Sequence, residues 1–139
     1  MASAVQAVTF APLLSASPAI KLHAFAAMAA FALGVMQLSA PKGTLPHRTI
    51  GWVWVVLMLA VSISAFWIHE LRLFGPWSPI HLLAIFTLIT LPLGVLHARR
   101  HQVARHRFFM ISIFCGALVI AGLFTFVPGR IMHAVIAGH

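Results

Sequence analysis

The sequence predicts an all-α integral membrane protein, in which four helices cross the bilayer as an up-down bundle. Of its 139 residues, 62% are hydrophobic and only 7% are charged, whereas about 25% of residues are charged in soluble domains. Four apolar stretches reach the length of about 20 residues that a helix needs to cross the hydrocarbon core. A chain of this length has room for one domain, so we expect a single membrane domain.

The two ends of the chain are expected to lie outside this bundle. Residues 1–17 lack the positively charged start of a secretory signal, so they are predicted to form a short, uncleaved tail. The transmembrane domain is predicted at 18–130, and a short C-terminal tail at 131–139. Prolines that suit a first helical turn and breaker residues between the apolar stretches place the spans. These spans are predicted at about 19–40, 46–69, 79–98 and 105–127.

The charges predict how the bundle is oriented. Nine Lys and Arg residues against a single acid, Glu70, give a formal charge of +8. The cations lie in short connections between apolar stretches, so we expect lipid and not nucleic acid beside them. The first and third connections hold six of the nine: Lys42, Arg48, Arg99, Arg100, Arg105 and Arg107. The positive-inside rule therefore puts these connections in the cytoplasm and both termini on the outer, periplasmic side. An aromatic belt is expected from Trp52, Trp54, Trp67 and Trp77.

An internal repeat is the most informative feature of the organisation. Three landmarks recur at a spacing of 58 to 60 residues: His23 with His81, Gly34 with Gly94, and His47-Arg48 with His106-Arg107. This spacing predicts a duplicated helical hairpin, whose pseudo-twofold axis lies along the membrane normal. Chance matching within low-complexity apolar sequence is the alternative explanation.

The repeated histidines are candidate cofactor ligands. A twofold axis of this kind places His23 opposite His81 near the outer surface, and His47 opposite His106 near the inner surface. Paired imidazoles from diagonal helices suit the iron of b-type haem as axial ligands. The lone Cys115 excludes the Cys-x-x-Cys-His attachment of c-type haem. One or two non-covalent haems are therefore predicted, and merely interfacial histidines are the alternative.

Other residues could support such a site. Cations near the two surfaces are predicted to neutralise haem propionates, and the candidates are Arg48, Arg107 and Arg130. Small residues on the histidine faces serve either close helix packing or the approach of a flat macrocycle to the backbone. Gly34, one turn beyond Ala30, continues such a stripe from His23.

Three functions follow from these residues. The first is a small cytochrome-b-like protein that moves electrons between the two faces, with a quinone as its partner. A chain with little mass outside the bilayer also suits an accessory subunit of a larger respiratory or photosynthetic complex, or a homo-oligomer. Copper handling is the third, with ligands from His23, His69, His81 and His133. The chain contains no Asp and hence no Ser-His-Asp constellation, so a carrier or an accessory subunit is favoured over a self-contained enzyme.

Several motifs cover nearly the whole chain beyond residue 20: Leu22-His23, Gly43-Thr44, His47-Arg48, Gly51-Trp52, Ser78-Pro79-Ile80-His81, His106-Arg107 and the run from Ile120 to Arg130. They resemble the family of predicted bacterial membrane proteins known as domain of unknown function 2306. The resemblance implies a four-helix domain of the bacterial inner membrane, in which the four histidines and three arginines match motif positions. The architecture is also similar to the bis-histidine bundles of the cytochrome b and b561 groups, which implies haem and electron transport. In this chain, however, the histidines lie closer to the span ends.

Overall fold

The computed structural model describes residues 8–68, 79–126 and 131–137, which form helices joined by turns. Four helical spans are long and apolar enough to cross a bilayer: Pro18–Ser39, Leu45–Ala65, Ile80–Arg99 and Val103–Phe124. Each span boundary lies within four residues of its predicted position. The all-α membrane fold expected from the sequence is therefore confirmed.

The described chain contains the following helices in order: α1 (Ala11–Leu14), α2 (Pro18–Ser39), α3 (Leu45–Ala65), α4 (Pro79–Arg99), α5 (Val103–Ile113), a π-helix (Phe114–Ile120), α6 (Ala121–Phe124) and α7 (Ile131–Ala137). Two of the spans begin with side-chain caps, which satisfy amide groups that have no partner within the helix. The Ser17 hydroxyl accepts from the amide of Ile20 at 3.4 Å. The Thr44 hydroxyl accepts from the amide of His47 at 3.3 Å.

The four spans form a ring in chain order. Helix α2 packs against α3 and against the π-helix, while α4 packs against α3, α5 and the π-helix. Helix α2 is therefore diagonal to α4, and α3 is diagonal to the fourth span, which consists of α5, the π-helix and α6. These are the diagonal pairs that a duplicated hairpin requires.

Apolar side chains from all four spans fill the middle of the bundle, and they are Ala30, Trp54, Met58, Leu91, Ile113, Phe114 and Leu118. Within this core, the indole N–H of Trp54 donates to the carbonyl oxygen of Ala30 at 3.0 Å and joins α2 to α3. The prediction that Trp54 belongs to an aromatic belt is therefore wrong, because this ring is only 6% exposed. Trp52 and Trp67 are exposed as expected, and Trp77 lies outside the described residues.

The outward faces of the spans are apolar. Large exposed side chains occur on each span, among them Leu22, Val56, Leu82 and Phe108. A surface of this kind is costly in water and is at home in hydrocarbon, where the helices satisfy their own backbone hydrogen bonds. The bundle is therefore built for a lipid bilayer.

Both ends of the described chain meet at one end of the bundle. The amide of Thr9 donates to the carbonyl oxygen of Val135 at 3.0 Å, and α1 packs against α7. We call this the terminal end. The opposite end is called the basic end, because its two loops, 40–44 and 100–102, and the helix ends beside them carry the six cations of the first and third connections. The sequence predicted tails where the structure has α1 and α7.

Candidate functional site

His23 is held by the last turns of α3 at the terminal end. Its Nδ1 lies 2.9 Å from the carbonyl oxygen of Val61 and 3.2 Å from the hydroxyl oxygen of Ser64. A carbonyl oxygen can only accept a hydrogen bond, so Nδ1 of the neutral ring must carry the proton. The other ring nitrogen, Nε2, is then the one with a lone pair for a ligand bond.

His81 lies against the same part of α3. Its side chain is 2% exposed, and its ring centroid is 5.9 Å from that of Phe66, the residue that ends α3. His23 and His81 come from diagonal helices, yet both contact the segment from Val61 to Phe66. The structure therefore places both residues of the predicted outer pair against the last turns of α3, His23 at the Val61 carbonyl oxygen and His81 at the ring of Phe66.

Helix α3 ends four residues earlier than predicted, which places this stretch beside the histidines. The amides of Phe66, Trp67 and Ile68 each bond to the carbonyl three residues before them, at 3.1 to 3.2 Å. The tighter turn ends the α-helix at Ala65. His69, which was predicted to close this span, lies outside the described residues.

His106 and His47 occupy the basic end. Nδ1 of His106 lies 2.9 Å from the carbonyl oxygen of Gly94, so this ring is also held by a neighbouring helix. His47 lies in the first turn of α3, where Lys42 and His106 are close enough to interact with it electrostatically. The predicted inner pair therefore lies at the same end of the bundle.

A glutamine that sequence reasoning missed completes the basic end. Nε2 of Gln37 donates to the carbonyl oxygen of His47 at 2.8 Å. Oε1 of Gln37 and Nδ1 of His47 are both buried and have no hydrogen-bond partner among the described residues. The repeat could have identified this position, because Gln37 lies 60 residues before His97, which is the same spacing as between Gly34 and Gly94.

The predicted arginine partners lie on the outside of the molecule. Arg48 and Arg107 are exposed beside the two basic-end histidines, where long cationic side chains reach the headgroup region. Lys42 donates to the carbonyl oxygens of Gln37 and Ala40 and so closes the C-terminus of α2. Arg130 lies outside the described residues.

The two repeated glycines allow close helix packing. A Cβ added at Gly34 would lie 2.5 Å from the ring of Phe114, and one added at Gly94 would lie 2.4 Å from the methyl group of Met110. Of the two roles expected for small residues here, helix packing is the one observed. The backbone at both glycines is covered by side chains of the fourth span.

The remaining histidines give no metal cluster. Within 8–68, 79–126 and 131–137, no three His, Cys, Asp or Glu side chains are grouped as metal ligands. His97 instead bonds through Nδ1 to Oε1 of Gln102 at 2.5 Å. Its ring stacks on Phe109, with 5.3 Å between centroids. His69, one of the four residues of the copper hypothesis, lies outside the described residues, so that hypothesis stays a prediction.

Comparison with known proteins gives one match. No curated protein and no solved structure matches this chain significantly. The profile of the predicted membrane protein family DUF2306 matches residues 20–137, which include the four candidate ligand histidines and all three candidate arginines. The chain therefore belongs to the predicted membrane protein family DUF2306.

Proposed function

We propose that this protein is a small b-type cytochrome that binds one haem at the terminal end through His23 and His81. The observation that carries the proposal is the hydrogen bond from Nδ1 of His23 to the carbonyl oxygen of Val61. Imidazoles that bind metals almost always donate their other N–H to a carbonyl or carboxylate, which holds the tautomer and the ring orientation. His81 supplies the second imidazole from the diagonal helix.

Small side chains lie near these two rings. Ala26 and Ala84 lie about one helical turn beyond the histidines, and both are buried, as is Ala65 at the end of α3. Methyl groups at these positions occupy little space. His81 is only 2% exposed, which indicates that water is excluded from this residue. Burial of this kind is one of the factors that set the redox potential of a haem iron.

The basic end is less suited to a second haem. The repeat predicted one at His47 and His106, but Phe114 and Met110 cover the glycines that would admit a macrocycle. The proposal is therefore one haem per chain. When bound, haem supplies one-electron transfer. The chain would supply two imidazole ligands, keep Nε2 of His23 unprotonated and exclude water. The proposed electron partner is a quinone dissolved in the bilayer.

The absorption spectrum of the purified protein tests this proposal. We expect a Soret band and a pyridine haemochrome that corresponds to one haem per chain. His23→Ala and His81→Ala should each lower haem content by at least about tenfold. His97→Ala is the matched control and should leave it unchanged, because His97 faces Gln102 and Phe109.

A wild-type protein that purifies without a Soret band from cells with ample haem would overturn the proposal. So would haem content that is unchanged in both His23→Ala and His81→Ala. Far-UV circular dichroism of each variant checks that the bundle has folded. Purification with a larger membrane complex, and without pigment, would instead favour the role of an accessory subunit.

A further inference from the structure

We infer that Gln37 and His47 at the basic end form a binding site for the headgroup of a quinol. The inference deepens the proposed function and rests on it for the fate of the quinol's electrons. It concerns the end of the bundle opposite the proposed haem. Its starting point is the pair of buried polar atoms without partners, Oε1 of Gln37 and Nδ1 of His47.

The orientation of the Gln37 amide follows from its surroundings. Its nitrogen must face the carbonyl oxygen of His47, because that oxygen can only accept a hydrogen bond. Oε1 is then the remaining acceptor of the amide group. Gly51 makes room for this arrangement, since a Cβ there would lie 3.2 Å from Nε2 of Gln37. The amide is therefore held in place with its oxygen unused.

These two unsatisfied atoms point to a missing partner. A polar atom buried without a hydrogen bond lowers the stability of the folded protein by roughly 1–3 kcal/mol. Native proteins satisfy such atoms with protein groups, ordered water or a ligand. Lys42 lies near His47 but directs its amino group to the end of α2. Its positive charge would stabilise negative charge on an oxygen bound at His47.

The second hairpin is an internal control. His106 is the counterpart of His47, and its Nδ1 bonds to the Gly94 carbonyl oxygen. His97 is the counterpart of Gln37, and it bonds to Gln102. Nδ1 of the histidine thus has a partner in the second hairpin and none among the described residues in the first, where Oε1 of Gln37 is also unpaired. The helix packing common to both hairpins leaves these two atoms without partners in the described part of the chain, and a bound ligand would satisfy them.

The chemistry of the two atoms selects the ligand. Oε1 of Gln37 needs a donor, and Nδ1 of His47 can donate or accept according to its tautomer. A phenolic hydroxyl group offers both a donor and an acceptor. The site lies where apolar spans end, next to exposed Leu38 and Leu45, so a ligand with an apolar tail can reach it from the bilayer. A hydroxylated aromatic ring with an apolar tail, that is a quinol, meets these conditions.

The binding experiment uses heptyl-4-hydroxyquinoline N-oxide, a fluorescent quinol analogue, titrated into the full-length protein in lipid nanodiscs. We expect one site per chain above the background of empty nanodiscs. Gln37→Met keeps the side-chain volume and removes the amide, so it should weaken binding by at least about tenfold while the Soret band stays. Gln102→Met is the matched control at an exposed glutamine and should bind as the wild type does.

Binding no stronger than to empty nanodiscs would overturn the inference, as would equal affinities of Gln37→Met and Gln102→Met. If Gln37→Met does not fold, Gln37→His places the residue of position 97 at position 37, and the same weakening is expected. A Soret band without analogue binding would contradict this inference alone. Binding that depends on Gln37 in a protein without a Soret band would contradict the haem proposal alone.

Discussion

The first hairpin consists of α2 and α3, and the second consists of α4 and the fourth span. Both hairpins carry the repeated histidines and glycine, but the surroundings of the histidines differ. In the second hairpin, the Gly94 carbonyl oxygen accepts from His106, and Met110 covers Gly94. In the first hairpin, Nδ1 of His47 has no hydrogen-bond partner among the described residues. The repeat therefore reproduces the positions of the helices, while the polar contacts at their ends differ.

The loops explain this difference. The loop before α3 has five residues, 40–44, and the loop before α5 has three, 100–102. His47 is the third residue of α3, whereas His106 is the fourth residue of α5. One residue turns a helical side chain by about 100° around the axis. His47 thus cannot meet the Gly34 carbonyl in the way that His106 meets the carbonyl of Gly94.

The largest expected effect comes from the matched glycines. In Gly34→Ala the new methyl group meets the ring of Phe114, which is packed in the core and has little room to move. We expect a loss of about 1–3 kcal/mol in the free energy of unfolding. Gly94→Ala meets the flexible end of Met110, so its loss should be below about 1 kcal/mol. Unfolding by SDS in mixed micelles, followed by circular dichroism, measures both.

Gly122→Ala is the control for these two substitutions. No atom lies within 4 Å of a Cβ at that position, and alanine favours a helix by up to about 1 kcal/mol. This variant should therefore be slightly more stable than the wild type. Equal losses in Gly34→Ala and Gly94→Ala would show that the two glycines are packed alike, against the comparison of hairpins.

Much of the fold was predictable because a membrane span depends on local sequence. Runs of apolar residues and capping residues such as Thr44 specify where a helix begins, without reference to the rest of the chain. Helices α1 and α7 were missed because they have only 4 and 7 residues. Segments this short depend on tertiary contacts, here the bond between Thr9 and Val135.

Less of the candidate site was predictable. The spacing of the four histidines indicated the two ends at which they lie and the diagonal helices that carry them. Their anchors, the carbonyl oxygens of Val61 and Gly94, are backbone groups that every residue has, so no sequence motif marks them. Trp54 was misplaced for a related reason. Trp54 is the tenth residue of α3 and lies in the middle of the span, where its indole N–H donates to the carbonyl oxygen of Ala30, another backbone group that no motif marks.

The second prediction compares the stability contributed by the two basic-end histidines. His106→Leu removes the hydrogen bond to the Gly94 carbonyl oxygen and should cost about 1 kcal/mol. His47→Leu removes a nitrogen that has no partner within the described residues, so it should be close to neutral or slightly stabilising. The unfolding free energies are measured without added quinol analogue. A larger loss in His47→Leu would mean that His47 has a stabilising partner of its own.

The smallest effects are expected in the two loops of the basic end, each of which has one residue with positive φ. Gly43 has a φ of 75° and nothing within 4 Å of a Cβ, so Gly43→Ala should cost about 1 kcal/mol through the backbone alone. His101 has a φ of 56°, and His101→Gly should gain somewhat less than about 1 kcal/mol, because glycine also increases the entropy of the unfolded chain. Opposite signs in the SDS titration would show that both loops use the left-handed conformation and that only the first has the residue suited to it. The same sign in both variants would contradict this view of the loops.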